Sequence, residues 1–161
     1  MKYIFLDVDG VLNNRRHYKK QHKKYGGRFI CETMPFNPRS LRNLQRIVKH
    51  TKANIILTSS WRRSKECRTV LDARLAEYGL KIHDITEFID GDRGREIICY
   101  INSKEIGLVF DGSRIIIIDD EIKDIKRHFD KGYIVKTNPN KGLTLFKTIE
   151  ALWKLRTIYH D

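Results

Sequence analysis

Short blocks of consecutive apolar residues punctuate the chain, and between them apolar positions recur at intervals of three and four. The blocks at 3–6, 53–57, 114–118 and 133–136 are of strand length and end in turn or polar residues, the pattern of buried strands. Ile115 to Ile118 is the clearest, because consecutive β-branched residues suit a parallel sheet covered on both faces. Residues 38–50 predict a helix, with Leu41, Leu44, Ile47 and Val48 on one side, Asn37 as N-cap and Pro38 as first helical residue. Cys67, Val70, Leu71, Leu75 and Tyr78 predict a second helix that begins at Ser64 and closes at Gly79. A third is expected over 95–106, ended by Gly107, a fourth from the acidic pair Asp119-Asp120 to about Lys131, and a closing helix over 143–159. Residues 82–89 read as a short strand or an irregular link. Strands alternating with helices define an α/β chain with a Rossmann-like, doubly wound parallel sheet, and the 161 residues suit a single domain.

Residues 14–28 break this pattern. They hold seven basic residues and no acidic one, with Tyr18 and Tyr25 interleaved and a break at Gly26-Gly27. Too polar for a core, the segment reads as a basic flap or hairpin, or a disordered basic loop, within an insert over 14–36. Charge sharpens the point. The net charge is +12, yet residues 1–80 carry 18 basic and 6 acidic residues, while the remainder carries 14 of each. The whole excess lies in the first half, which suggests a polyanionic partner. Lys19, Lys20, Lys23 and Lys24, with neighbouring aromatics, suit phosphate tracking and base stacking. No stretch is long and apolar enough to span a membrane, and the N-terminus does not read as a signal peptide. Cys31, Cys67 and Cys99 lack paired or metal-type spacing, so reduced thiols and a cytoplasmic or nuclear setting are expected. Nothing in the pattern specifies an oligomeric state.

The candidate chemistry lies where strands end. The first block stops at Asp7-Val8-Asp9-Gly10, the second at Thr58-Ser59-Ser60-Trp61-Arg62-Arg63, and the third at Asp119-Asp120. In a parallel sheet these carboxyl ends share one crevice, the usual ligand site of the architecture. Clustered carboxylates need a counter-charge, and hard oxygen ligands suit Mg²⁺. Asp7 could attack phosphorus and form an acyl-phosphate, while Asp9 gives and takes the proton. Thr58 and a cation such as Arg93 would stabilise the phosphoryl oxygens. The Ser59 hydroxyl, like that of Thr58, could donate to a phosphoryl oxygen, or both could cap the following helix, which Ser64 could do equally well.

Asp7-Val8-Asp9-Gly10-Val11-Leu12-Asn13 resembles the first motif of the haloacid dehalogenase (HAD) superfamily of phosphohydrolases. Ile55-Ile56-Leu57-Thr58 is similar to its second motif, Arg93-Gly94-Arg95-Glu96-Ile97 to its third, and Ile115 to Asp120 to its fourth. Together with Asn138-Pro139-Asn140-Lys141-Gly142-Leu143-Thr144, these stretches resemble a compact HAD domain family that occurs alone and within multi-domain RNA-repair proteins. The resemblance implies a HAD core with Asp7 as nucleophile and Asp9 as acid/base, the latter also contributing its backbone carbonyl to Mg²⁺. It implies Thr58 on the phosphoryl group and Asp119 or Asp120 on the metal beside Asp7 and Asp9, with Asp119 favoured as the direct ligand and Asp120 then contacting it through water. Gly10 would let the chain turn sharply beneath the flap. The third-motif cation is Arg93, with Arg95 as the close alternative, and arginine stands where that family carries lysine.

Between Asn13 and Asn37, and between Thr58 and Arg93, there is no room for a large cap domain. The site should therefore be open and suit a phosphate on a large substrate. The expected activity is a Mg²⁺-dependent polynucleotide phosphatase acting on a terminal phosphate, with Arg62, Arg63 and the basic segment gripping the strand. The competing readings are a mononucleotidase, a phosphoprotein phosphatase, and a nucleic-acid-binding module with a vestigial site.

Overall fold

The structure, a computed structural model, describes residues 1–27, 29–30, 33–106 and 114–156. Five strands form one all-parallel sheet: β1 (Lys2–Leu6), β2 (Asn54–Leu57), β3 (Ile82–Ile85), β4 (Arg114–Asp119) and β5 (Ile134–Lys136). Their order is β3-β2-β1-β4-β5. The chain winds outward from β1 through β2 to β3, then returns to place β4 on the other side of β1. The topological switch point thus falls between β1 and β4, where open α/β sheets hold ligands.

The helices are α1 (Arg15–Tyr25), α2 (Pro38–Thr51), α3 (Lys65–Ala76), α4 (Arg93–Ser103) and α5 (Leu145–Arg156). Alternation along the strands divides the core in two. Ile4, Leu6, Ile55, Leu57, Ile116 and Ile118 pack with α2, α3 and α5. Phe5, Ile56, Ile115 and Ile117 face the opposite way, against Ile97, Tyr100 and Ile101 of α4 and against Ile122, Ile125 and Phe129. Continuous apolar strands follow from this double coverage.

Asn37 accepts from the N–H of Arg39, with Pro38 in the first turn of α2. Ser64 caps α3 by accepting from Cys67, and α4 begins earlier than its apolar pattern indicates because Asp92 accepts from Arg95. The expected ends at Gly107 and Tyr159, and Arg28 of the basic segment, lie outside the described residues.

Three expectations need correction. Residues 15–25 are neither a hairpin nor an irregular loop but an α-helix without a buried residue. Asn14, itself buried, caps it by accepting from His17, and Gly26, at φ 70°, ends it. The helix is tied down at its first turn, where Arg15 N–H donates to Pro139 and Arg16 N–H to Asn140. The helix expected to reach Lys131 is only a 3-10 turn, Ile125–Arg127. Its apolar residues lie on the sheet, but the chain must pass beneath α4. A Cβ on Gly94 would come within 2.9 Å of the Asp124 carbonyl. Finally, Cys67 is disulfide-bonded rather than the reduced thiol expected, whereas Cys99 is free. No helix among the described residues is long and apolar enough to cross a membrane.

Candidate active site

The ends of β1, β2 and β4 bring Asp7, Thr58 and Asp119 side by side at the switch point. Asp7 follows β1, and its N–H donates to the carbonyl of Ile118 on β4 at 3.0 Å. Thr58 follows β2 and donates to Leu6 in the same way, while Asp119 closes β4. Sheet pairing therefore converts residues 112 positions apart into neighbours. Oxygens of Asp7, Asp119 and Asp120 all lie within 4.8 Å of one another.

Asp7 is 5% exposed and Asp119 fully buried. Burial pushes the Asp7 carboxyl upward against the opposing pull of Arg93, a Ser59 hydrogen bond and the Val8 N–H. Burial, then the charge of Asp7, pushes Asp119 up to about 7 despite Arg93. Asp120, half-buried, is also raised, chiefly by burial. The cation present is Arg93, whose Nη1 lies 3.4 Å from Asp7 Oδ1 and also bonds Asp119 Oδ2. Its backbone N–H donates to Asp124 at 2.6 Å, fixing the start of α4 against the site.

These donors fit a hard divalent ion. Three carboxylates gather with one guanidinium, which pairs with only two of them, and burial raises all three above their ordinary range, as expected of oxygen ligands short of positive charge. The Thr58 hydroxyl is also buried and has no hydrogen-bond partner among the described residues, a donor left over at the strand end. Gly10, at φ 74°, packs so closely on Asp120 that a Cβ would collide with its carboxyl. The glycine is required both by the turn and by that approach.

Asp9 stands apart from the carboxylate triangle. Its Oδ1 accepts from Asn13 Nδ2 at 2.7 Å and its Oδ2 from Trp61 Nε1 at 3.0 Å. Asn13 Oδ1 in turn accepts the Gly10 N–H. Asp9, Gly10 and Asp120 border an open cleft of about 370 Å³ whose other walls include Arg15, Tyr18 and Lys19.

The remaining expected residues separate. Arg95 is exposed and pairs with Asp90 at 3.6 Å, so Arg93, not Arg95, meets the carboxylates. The Arg62 side chain is only 5% exposed, paired with Glu96 at 2.7 Å and donating to the carbonyls of Thr58 and Ser59. It ties the strand-end loop to Glu96 of α4. Arg63 is exposed over the Phe88 ring. Lys19 reaches the cleft and Lys20 the opposite side of α1. Lys23 and Lys24 lie in the last turn of that helix, the latter over Tyr25, with neither bordering the cleft. Sequence reasoning missed Trp61, Asn13 and Glu96 as parts of this site. Asn13 sits inside the first motif, but nothing local announces that Trp61 crosses to Asp9.

A parallel sheet with the acidic residues of its β1 and β4 ends gathered at the switch point has the architecture of a Rossmann-like HAD core. The model of one family, described as the HAD domain in Swiss Army Knife RNA repair proteins, matches residues 3–147, and the chain belongs to that family. Searches of curated proteins and of solved structures give no significant match.

Proposed function

We propose that the chain is a single-domain, Mg²⁺-dependent phosphomonoesterase that removes a terminal phosphate from a nucleic acid through an aspartyl-phosphate on Asp7. The observation that carries the reading is the convergence of Asp7, Asp119 and Asp120 on one another, with Arg93 paired to the first two, beside an open cleft. Asp7, Asp119 and Asp120 would hold the ion, with the Asp9 backbone carbonyl as a further ligand. When bound, Mg²⁺ supplies the charge that keeps these buried carboxylates ionised and offsets charge on the phosphate.

An Asp7 oxygen attacks phosphorus, and the bond from phosphorus to the ester oxygen breaks. Asp9 gives its proton to the departing alkoxide. Its carboxylate then takes a proton from the water that attacks the acyl-phosphate, and cleavage of that bond frees inorganic phosphate and Asp7. The Thr58 hydroxyl and the Arg93 guanidinium bind the phosphoryl oxygens through the transfer. Asn13 and Trp61 hold Asp9 in position.

A nucleic-acid end is favoured by the basic first half of the chain, by Arg15, Tyr18 and Lys19 at the cleft, and by family membership. The test is a screen with Mg²⁺ over phosphorylated oligonucleotides, mononucleotides, sugar phosphates and phosphopeptides. Preferred turnover of oligonucleotides, with KM rising steeply with salt, is expected. Equal or better turnover of mononucleotides with a shallow salt dependence would replace this reading with that of a nucleotidase.

A further inference from the structure

A second basic surface lies outside the catalytic residues. Between α1 and α2 runs a groove of about 820 Å³ bordered by Arg16, Lys20, Arg39, Arg42, Arg46 and Lys141. No acidic residue lines it. All six cations are exposed, and none makes an ion pair among the described residues. Their placement follows from helical spacing. Arg39, Arg42 and Arg46 fall three and four apart and share one face of α2, while Arg16 and Lys20 face them from α1. Lys141 stands on the loop that receives the N–H groups of Arg15 and Arg16 through Pro139 and Asn140.

Two further features make this more than a solvated face. Asn14 Nδ2 and Ser40 Oγ, on residues that border the groove, are buried and have no hydrogen-bond partner among the described residues. Both crowd Gly142, where a Cβ would lie within 3.0 Å of each. Asn14 also borders the active-site cleft, so groove and cleft meet at the first turn of α1.

Resting on the phosphatase reading for its biological sense, we infer that this groove is the binding track for the phosphodiester backbone of a single strand whose end enters the cleft. Unpaired cations in a concave channel suit a chain with one charge per residue of its length. Four of the six are arginines, whose planar forks bind phosphate oxygens in pairs. A membrane surface would meet a projecting face rather than a groove. The strand would pass Lys19 and Tyr18 on the cleft side of α1 before reaching Arg16 and Lys20 on the other.

The test is binding of the full chain, without Mg²⁺, to a fluorescent oligouridylate of about a dozen nucleotides with hydroxyls at both ends, titrated over a range of salt. This readout is independent of hydrolysis, so a failed phosphatase assignment and a failed track are distinguishable. For single strands the logarithmic salt slope is about −0.7 per phosphate contact, so six cations give a slope near about −4. The variant Arg39→Gln/Arg42→Gln/Arg46→Gln should flatten it by about 2 and weaken binding by roughly tenfold or more. Arg16→Gln/Lys141→Gln, on the facing wall, should flatten it by about 1.4. Hydrolysis of 4-nitrophenyl phosphate by either variant, with Mg²⁺, should stay within about twofold of the unmodified protein. Wild-type affinity and slope in both variants would overturn the track. So would equally tight binding of polyglutamate or of phosphatidylserine vesicles, which would make the groove a general anion surface.

Discussion

The indole N–H of Trp61 donates to Oδ2 of Asp9 at 3.0 Å, joining the turn after β2 to the turn after β1. Asn13 holds the other oxygen, so the proposed acid/base is fixed at both ends. Trp61 is buried and packs edge-on against Phe36, which makes phenylalanine the gentlest replacement. Trp61→Phe should slow hydrolysis of an alkyl phosphate by about tenfold, a fraction of what general acid catalysis contributes. An aryl phosphate, whose leaving oxygen needs little proton assistance, should lose much less. Equal losses on the two esters would remove Asp9 from the leaving-group step.

Arg93 and Arg95 are two positions apart yet have different surroundings. Arg93 lies on Asp7 and Asp119, whereas Arg95 points to Asp90 at the rim. Arg93→Ala should lower kcat/KM on any phosphate ester by about 100-fold or more. Arg95→Ala should change it by less than about threefold. The reverse ranking would assign the phosphate-stabilising cation to Arg95.

The raised carboxylates make the metal-free protein pH-sensitive. In the unfolded chain Asp119 releases its proton near 3.8, and in the folded protein only near about 7. Between these values the native state holds more protons than the unfolded state, so stability falls as pH rises through that window. Metal-free protein should therefore melt at a lower temperature at pH 8 than at pH 5.5. Mg²⁺ should restore several degrees at pH 8 and little at pH 5.5, where protons compete for its ligands. Asp7→Asn removes one of the repelling charges and should reduce the pH dependence. A thermal scan with and without EDTA checks all of these.

Arg62 and Glu96 form a buried pair at 2.7 Å whose arginine also binds the Thr58 and Ser59 carbonyls. Glu96 accepts the Ile89 N–H besides. Breaking a buried pair by truncating one partner costs about 3–5 kcal/mol. Arg62→Ala should thus lower Tm by roughly 10 °C for a chain of this size. Its losses on oligonucleotide and small-ester substrates should be equal, because the residue acts through the loop. A loss confined to oligonucleotides would restore Arg62 to the substrate surface.

Most of the fold was legible because the strands are continuous apolar blocks and the helices carry their own caps. Asn37-Pro38, Ser64 and Gly79 mark boundaries that hydrogen bonding respects. The convergence of Asp7, Thr58 and Asp119 was legible too, since topology alone brings those strand ends together. Helix α1 was not. It has no apolar face, and its determinants are an N-cap at Asn14 and a stop at Gly26, signals that also describe a loop. The roles of Arg62 and Trp61 were hidden for a different reason. Each depends on a partner 34 or 52 positions away, and a charged side chain in a motif looks the same whether it meets substrate or Glu96.

The central claim is that Asp7 becomes covalently phosphorylated. It is tested most directly by quenching the protein in acid within milliseconds of mixing with ³²P-labelled substrate and Mg²⁺, then mapping the label by peptide mass spectrometry. An acid-stable, alkali-labile phosphate on the peptide bearing Asp7, absent with EDTA and absent in Asp7→Asn, is the predicted result. Full turnover with no protein-bound label, and an Asp7→Asn variant that remains active, would contradict the account.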